Sequence, residues 1–63
     1  MNKIELIKEL VELHCKKFHL DPTIEERIHL YNTFEEHLKH IEYKNSDSKF
    51  QVYNKIQDYV FTK

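Results

Sequence analysis

The residue types best suited to metal binding cluster in the middle of the chain. Carboxylates and imidazoles recur there at helical spacing, at Glu26, His29, Glu36, His37 and His40. Glu-x-x-His spacing occurs in the metal sites of helical bundles, where such motifs from paired helices point inward. Here the set lies opposite the apolar residues of its own segment, so a solvated polar face is the favoured interpretation. The sequence therefore predicts no metal site and no bound cofactor.

A second candidate for chemistry is the pair Cys15 and His19, which are spaced to share one face of a helix. A thiolate and an imidazole can perform nucleophilic chemistry, but they need a cleft, an orienting group and an oxyanion site. The sequence contains no recognisable set of these. We therefore expect Cys15 to be a small packing residue, and the adjacent His14 to be a core histidine with a hydrogen-bond partner. No catalytic residue is predicted, and we expect a protein that is not an enzyme.

The composition describes a small chain of mixed charge. Its 63 residues make one domain, 1–63, and leave a lone hydrophobic core marginal. The net charge of −1, with acids and bases interspersed, argues against a nucleic-acid or membrane surface. No apolar run could span a membrane, and the N-terminus leads directly into a charged amphipathic pattern rather than a secretory signal. With a single cysteine, we expect a cytoplasmic protein without disulfides.

The apolar periodicity predicts an all-α fold, a compact three-helix bundle in up-down-up order with short connections. The helices are predicted over 2–18, 22–43 and 49–61. Few segments alternate with period two, which argues against strands. The second helix has a core-facing stripe of ordinary width, made of Ile24, Ile28, Tyr31, Phe34, Leu38 and Ile41, with Leu30 at its margin.

Polar residues punctuate these segments. Asn2 is a good N-cap for the first helix. Asp21 is the predicted N-cap of the second helix, because the proline after it suits the first helical position. Ser48 and Gln51 have the spacing of a capping box at the third helix. In the turn before it, Asn45 can adopt the left-handed conformation without glycine.

The first and third helices are apolar over roughly 200° of their circumference, more than a surface helix needs. They either bury more of their surface within the bundle or leave a patch for a partner. The second interpretation predicts binding of another protein or of a second copy, because small domains gain stability by association. Aromatic and large aliphatic side chains are the usual anchors of such interfaces. The predicted partner-binding residues are Phe50, Tyr53, Tyr59, Phe61, Leu6 and Leu13.

The hairpin Ile4 to Ile41, with 20–22 (Leu-Asp-Pro) at its turn, resembles the small sporulation aspartyl-phosphate phosphatases. Their signature on the second helix is Ser-Gln-x-Leu-Asp. The corresponding stretch, 31–35, reads Tyr-Asn-Thr-Phe-Glu and agrees in character at its last two positions. The resemblance implies a phosphatase acting on response regulators as one alternative function.

The acidic stretch 24–36 is similar to the second helix of nuclease-colicin immunity proteins. That resemblance implies an immunity or antitoxin protein, which would neutralise a basic toxin through Glu25, Glu26, Glu35, Glu36 and Glu42. The motif Tyr-Tyr-Pro of that family is not found in this chain. The leading interpretation is a small non-enzymatic protein-binding module, a regulator or inhibitor of bacterial or phage type, acting through its apolar helix faces.

Overall fold

The computed structural model describes residues 2–61, which form three α-helices. These are α1, Lys3–Lys17; α2, Ile24–Leu38; and α3, Lys49–Phe61. Each helix contacts the other two, and residues 2–61 contain no strand. The predicted all-α bundle of three helices is therefore confirmed. None of the three helices is long and apolar enough to cross a membrane.

The core lies where the three apolar stripes meet. Four side chains at its centre are essentially inaccessible: Leu10, Val11, Val52 and Ile56. The other buried members are Leu6, Ile7, Cys15, Phe34, Leu38 and Tyr53. Cys15 is thus the packing residue that the sequence predicted. Apolar burial at helical spacing is what holds these short helices together, because helices of this length are marginal on their own.

Local capping fixes the starts of α1 and α3. The Asn2 side-chain oxygen accepts the backbone N–H of Glu5 at 2.8 Å. Ser48 and Gln51 form a reciprocal box, in which each side chain accepts the other's backbone N–H, at 3.3 and 2.7 Å. Both predicted caps are confirmed. Each satisfies backbone donors that a helix start leaves unpaired.

Helix α2 starts later than predicted. Thr23, not Asp21, is its N-cap. The Thr23 hydroxyl accepts the Glu26 backbone N–H at 3.2 Å, and the Glu26 carboxylate accepts the Thr23 N–H at 3.1 Å. The proline therefore precedes the cap instead of occupying the first helical position. The reciprocal pair satisfies two backbone donors, which outweighs the preference for proline at the first turn.

Helix α2 also ends earlier than predicted, at Leu38 instead of Tyr43. The chain leaves the helix through a turn at 39–40, with Ile41 and Tyr43 half-buried against the core and Glu42 exposed between them. In a helix, residues two apart point about 200° from each other. Continuing α2 would therefore have turned one of the two apolar side chains into water, and leaving the helix lets both pack.

The left-handed residue lies after α1, not at Asn45. Of the residues 2–61 other than glycine, His19 alone has a positive φ, 54°. It follows the C-cap Phe18, and its N–H and that of Leu20 bond back to the carbonyls of Lys16 and Cys15, at 3.3 and 2.8 Å. This pattern is a Schellman motif with histidine in the usual glycine position.

The turn before α3 is closed by Asp47. Its backbone N–H bonds to the Lys44 carbonyl at 3.0 Å, and its carboxylate accepts the Lys44 N–H at 2.9 Å. The same oxygen lies 2.9 Å from the Lys55 ammonium on α3. The bond from Lys44 and the charge of Lys55 lower the pKa of Asp47. This side-chain clamp makes a left-handed residue at Asn45 unnecessary.

Candidate functional site

The histidine face of α2 is occupied by ring contacts and an ion pair. His40 stacks on Tyr59 with ring centroids 5.5 Å apart, and His37 meets Tyr59 edge-on at 5.9 Å. Glu36 lies 3.4 Å from the His40 ring and 3.6 Å from the Lys39 ammonium, and these two neighbours lower its pKa. Among residues 2–61 no three His, Cys, Asp or Glu side chains come together in a way that could hold a metal ion.

Cys15 faces the core, while His19 lies on the surface beyond the end of α1. A surface depression lies beside them, lined by Glu12, Cys15, Lys16, His19, Leu20 and Arg27. Cys15 is only 7% exposed and belongs to the hydrophobic core, and a buried structural thiol is ordinarily inert. The arrangement thus supports a packing role for Cys15.

His14 makes the hydrogen bond that the sequence predicted for it. Its Nδ1 lies 2.8 Å from the hydroxyl of Tyr53 on α3. Its ring also contacts Phe18 at 4.9 Å and Phe34 of α2 at 5.5 Å between centroids. Burial, and then the charge of Lys17, lowers the pKa of His14, and burial raises the pKa of Tyr53. His14 therefore joins all three helices and is favoured in its neutral form.

An open groove of about 190 Å³ runs between α2 and α3 above His14. We call it the α2–α3 groove, and its lining is His14, Leu30, Thr33, Phe34, His37, Ile56, Gln57 and Val60. Leu30 also lines a second depression, together with Leu20, Asp21, Pro22, Glu26 and His29. The α2–α3 groove is mainly apolar, and the core residues Phe34 and Ile56 form part of its lining.

Two of the six predicted partner-binding residues, Phe50 and Phe61, are exposed on α3. Phe50 is 57% exposed and Phe61 is 81% exposed. By helical geometry, Phe50, Gln57 and Phe61 fall within about 40° of one another on α3. Gln57 also lines the groove, so the two phenylalanines lie on the α3 face that contains this lining residue. We call these three residues the α3 rim.

The other four predicted partner-binding residues pack inside the domain. Leu6 and Tyr53 belong to the core, with Tyr53 only 3% exposed. Leu13 packs against the same core from α1. Tyr59 is half-buried and contacts the rings of His37 on α2 and of His40 in the turn after it. Their apolar character is thus used in holding the helices together.

The structure also exposes apolar residues that the sequence assigned to the core. Ile24 is 78% exposed and Ile28 is more than half exposed, although both were expected in the core stripe of α2. Val60, 41% exposed, and half-buried Leu30 line the groove, which the sequence did not predict. The one signal for this groove in the sequence was that Leu30 lies at the margin of the apolar stripe of the second helix. Surplus apolar surface therefore occurs on all three helices, not only on α1 and α3.

The distribution of these side chains, and not a set of reactive groups, is what distinguishes the surface. The α2–α3 groove is mainly apolar and includes core residues, and the α3 rim adds two exposed phenylalanines. They form the candidate functional site. No known protein family, curated protein or solved structure matches this chain.

Proposed function

We propose that this domain is a small non-enzymatic protein-binding module, a regulator or inhibitor, whose α2–α3 groove receives the apolar face of a partner helix. The observation that carries the proposal is the mainly apolar groove, with Phe50 and Phe61 exposed on the α3 face that carries its lining residue Gln57. Contiguous apolar surface, unlike scattered apolar residues, is typical of interaction sites.

The size of the groove favours side chains of a protein over a small molecule. At about 190 Å³ it is smaller than the pockets of about 300–1,000 Å³ that typically hold small ligands. A volume of that order suits one or two apolar anchors from a helix lying along the groove. Such a helix would pack between α2 and α3 and would complete a four-helix arrangement. It would also cover Phe50 and Phe61 at the rim.

The chemistry of the groove predicts binding that tolerates salt. Its lining contains no ionised carboxylate or ammonium side chain, because its two titratable members are the histidines His14 and His37. The immunity alternative would instead use the exposed carboxylates of α2. One of these, Glu36, already pairs with Lys39 and His40. Attraction between exposed charges weakens as salt rises, so ionic strength separates the two functions.

The experiment is affinity capture from the native host with three forms of the protein as bait. Val60→Glu places a charge in the groove, and Ile24→Glu places the same charge at an exposed isoleucine outside it. A partner held by the wild type and by Ile24→Glu at high salt, and lost by Val60→Glu, would support the proposal. A partner that elutes with salt and is indifferent to Val60→Glu would support the acidic alternative.

A second copy of the chain is a separate outcome. Sedimentation of the purified wild type over a range of concentrations would detect self-association. If dimers form and Val60→Glu dissociates them while Ile24→Glu does not, the occupant of the groove is another copy of this domain. If capture and self-association both survive Val60→Glu, the groove is not the binding site.

A further inference from the structure

The imidazole of His14 occupies the point where all three helices meet. It extends from α1, bonds to the Tyr53 hydroxyl of α3 at 2.8 Å, and contacts the Phe34 ring of α2 at 5.5 Å. Tyr53 and Phe34 are both core residues. A change in the charge of this ring therefore affects contacts that involve all three helices.

We propose that His14 is a proton-sensitive latch, so that acidification from pH 7 to pH 5 weakens the junction of the three helices. The proposal concerns the free domain and does not depend on the proposed function. It rests on the position of the ring, on its hydrogen bond and on the charges around it.

The groups facing His14 disfavour a positive charge there. From its own helix, the ammonium of Lys17 lies 5.3 Å from the Tyr53 ring centroid and 5.8 Å from that of Phe18, the two rings that also contact His14. On α3, the group that contacts the His14 ring is the neutral hydroxyl of Tyr53. From α2 the titratable neighbour is His37, which lines the same groove.

Protonation also changes what the hydrogen bond can do. A neutral imidazole has one nitrogen that accepts and one that donates, whereas an imidazolium only donates. Once His14 is charged, its Nδ1 can only donate to the Tyr53 hydroxyl oxygen, so the hydrogen bond is restricted to one direction. The charged ring would in addition lie partly out of water, which disfavours the charged form.

The direction of the pH effect follows from the two states of the chain. The pKa of His14 is lowered in the folded domain from its ordinary value of 6.5, first by burial and then by Lys17. The unfolded chain therefore takes up a proton at a higher pH than the folded one. Stability is full above pH 6.5 and falls as the pH drops below 6.5, until the folded form is protonated as well.

The test is urea unfolding at pH 7 and pH 5, together with an NMR titration of the histidine ring protons. The carboxylates whose pKa is lowered, Glu26, Glu36 and Asp47, stay ionised in this window. Between pH 7 and pH 5 the equilibrium constant for unfolding should rise by at most about 25-fold. This limit applies to a histidine that stays neutral in the folded domain and titrates with its ordinary pKa in the unfolded chain. The His14 resonance should titrate below pH 6.5.

Two variants separate His14 from the other histidines. His14→Asn places an amide near Nδ1, so it can keep the bond to Tyr53 without titrating, and it should reduce the rise. His29→Asn makes the same change at an exposed site and should leave the rise intact.

Lys17→Met provides the test that does not alter the imidazole. Removing the ammonium should raise the pKa of His14 towards 6.5 and reduce the rise in the unfolding constant. An equal rise in wild type and His14→Asn would overturn the proposal. A His14 resonance that titrates at or above pH 6.5 would also overturn the proposal. This titration uses the wild-type protein, so it decides the question even if His14→Asn does not fold.

Discussion

Replacing His19 with glycine should stabilise this protein, although replacing a residue inside a helix with glycine destabilises the folded state. His19 has φ 54° and holds the Schellman motif at the end of α1. A side chain with a Cβ is crowded against the backbone in this conformation, whereas glycine adopts it freely. The chain contains no glycine at all, so this position retains a strain that most helix ends avoid.

The magnitude is the difference between two opposing effects. Relieving the left-handed conformation of a residue with a Cβ gains about 1–2 kcal/mol. Glycine gives up about 0.5–1 kcal/mol of that, because the unfolded chain becomes more flexible. The midpoints of the two ranges give a net gain of about 0.75 kcal/mol in the free energy of unfolding. For a domain of this size that corresponds to an increase of roughly 3–6 °C in Tm.

Thermal and urea unfolding of three variants would check the reasoning. His19→Gly should unfold at higher temperature than wild type, and His19→Ala should not, because alanine keeps the Cβ. Lys16→Gly, inside α1 and exposed, should lose about 0.5–1 kcal/mol. If His19→Gly and Lys16→Gly are destabilised alike, the left-handed residue does not store the strain assigned to it.

Two further predictions concern the other turns. Thr23→Ala should lower the free energy of unfolding in urea by about 1 kcal/mol, because it removes the N-cap of α2, whereas Asp21→Ala should change it little. A larger loss in Asp21→Ala than in Thr23→Ala would show that Asp21 is the cap. Lys44 and Lys55 lower the pKa of Asp47 in the folded domain below its unfolded value of 3.8. The Asp47 carboxylate therefore stabilises the folded state above pH 3.8, and this stabilisation is lost as the pH falls through the lower pKa of the folded domain. Unfolding followed from pH 6 to pH 2 should therefore show a loss of stability below about pH 4 that is smaller in Asp47→Asn, and equal losses in both forms would count against the clamp.

The features that the sequence predicted correctly depend on neighbours a few positions apart. Asn2 with Glu5, and Ser48 with Gln51, cap their helices through residues three apart, and such bonds form wherever the local chain turns into a helix. His14 could be expected to have a hydrogen-bond partner because its place on the apolar face of α1 follows from helical spacing alone, although its ring is half-buried and not part of the core. The identity of that partner, thirty-nine positions away, did not follow.

The cap at Thr23 was within reach of the same local reasoning. The stretch 23–26 carries the capping-box pattern, and the proline beside it favoured an earlier start. The error at this point was therefore a choice between two local signals. The end of α2 is different, because Ile41 continues the helical stripe, and the gain from packing Tyr43 beside it appears only once the core is in place.

The sequence by itself determined that the chain forms three amphipathic helices, since apolar spacing and caps are properties of consecutive residues. Tertiary structure alone decided which apolar residues are buried. Helices of 13–15 residues meet along limited lines, so Phe34 is covered while Ile24 on the same predicted stripe stays in water. The α2–α3 groove exists for the same reason, because a groove is a property of how two helices approach each other and not of either one.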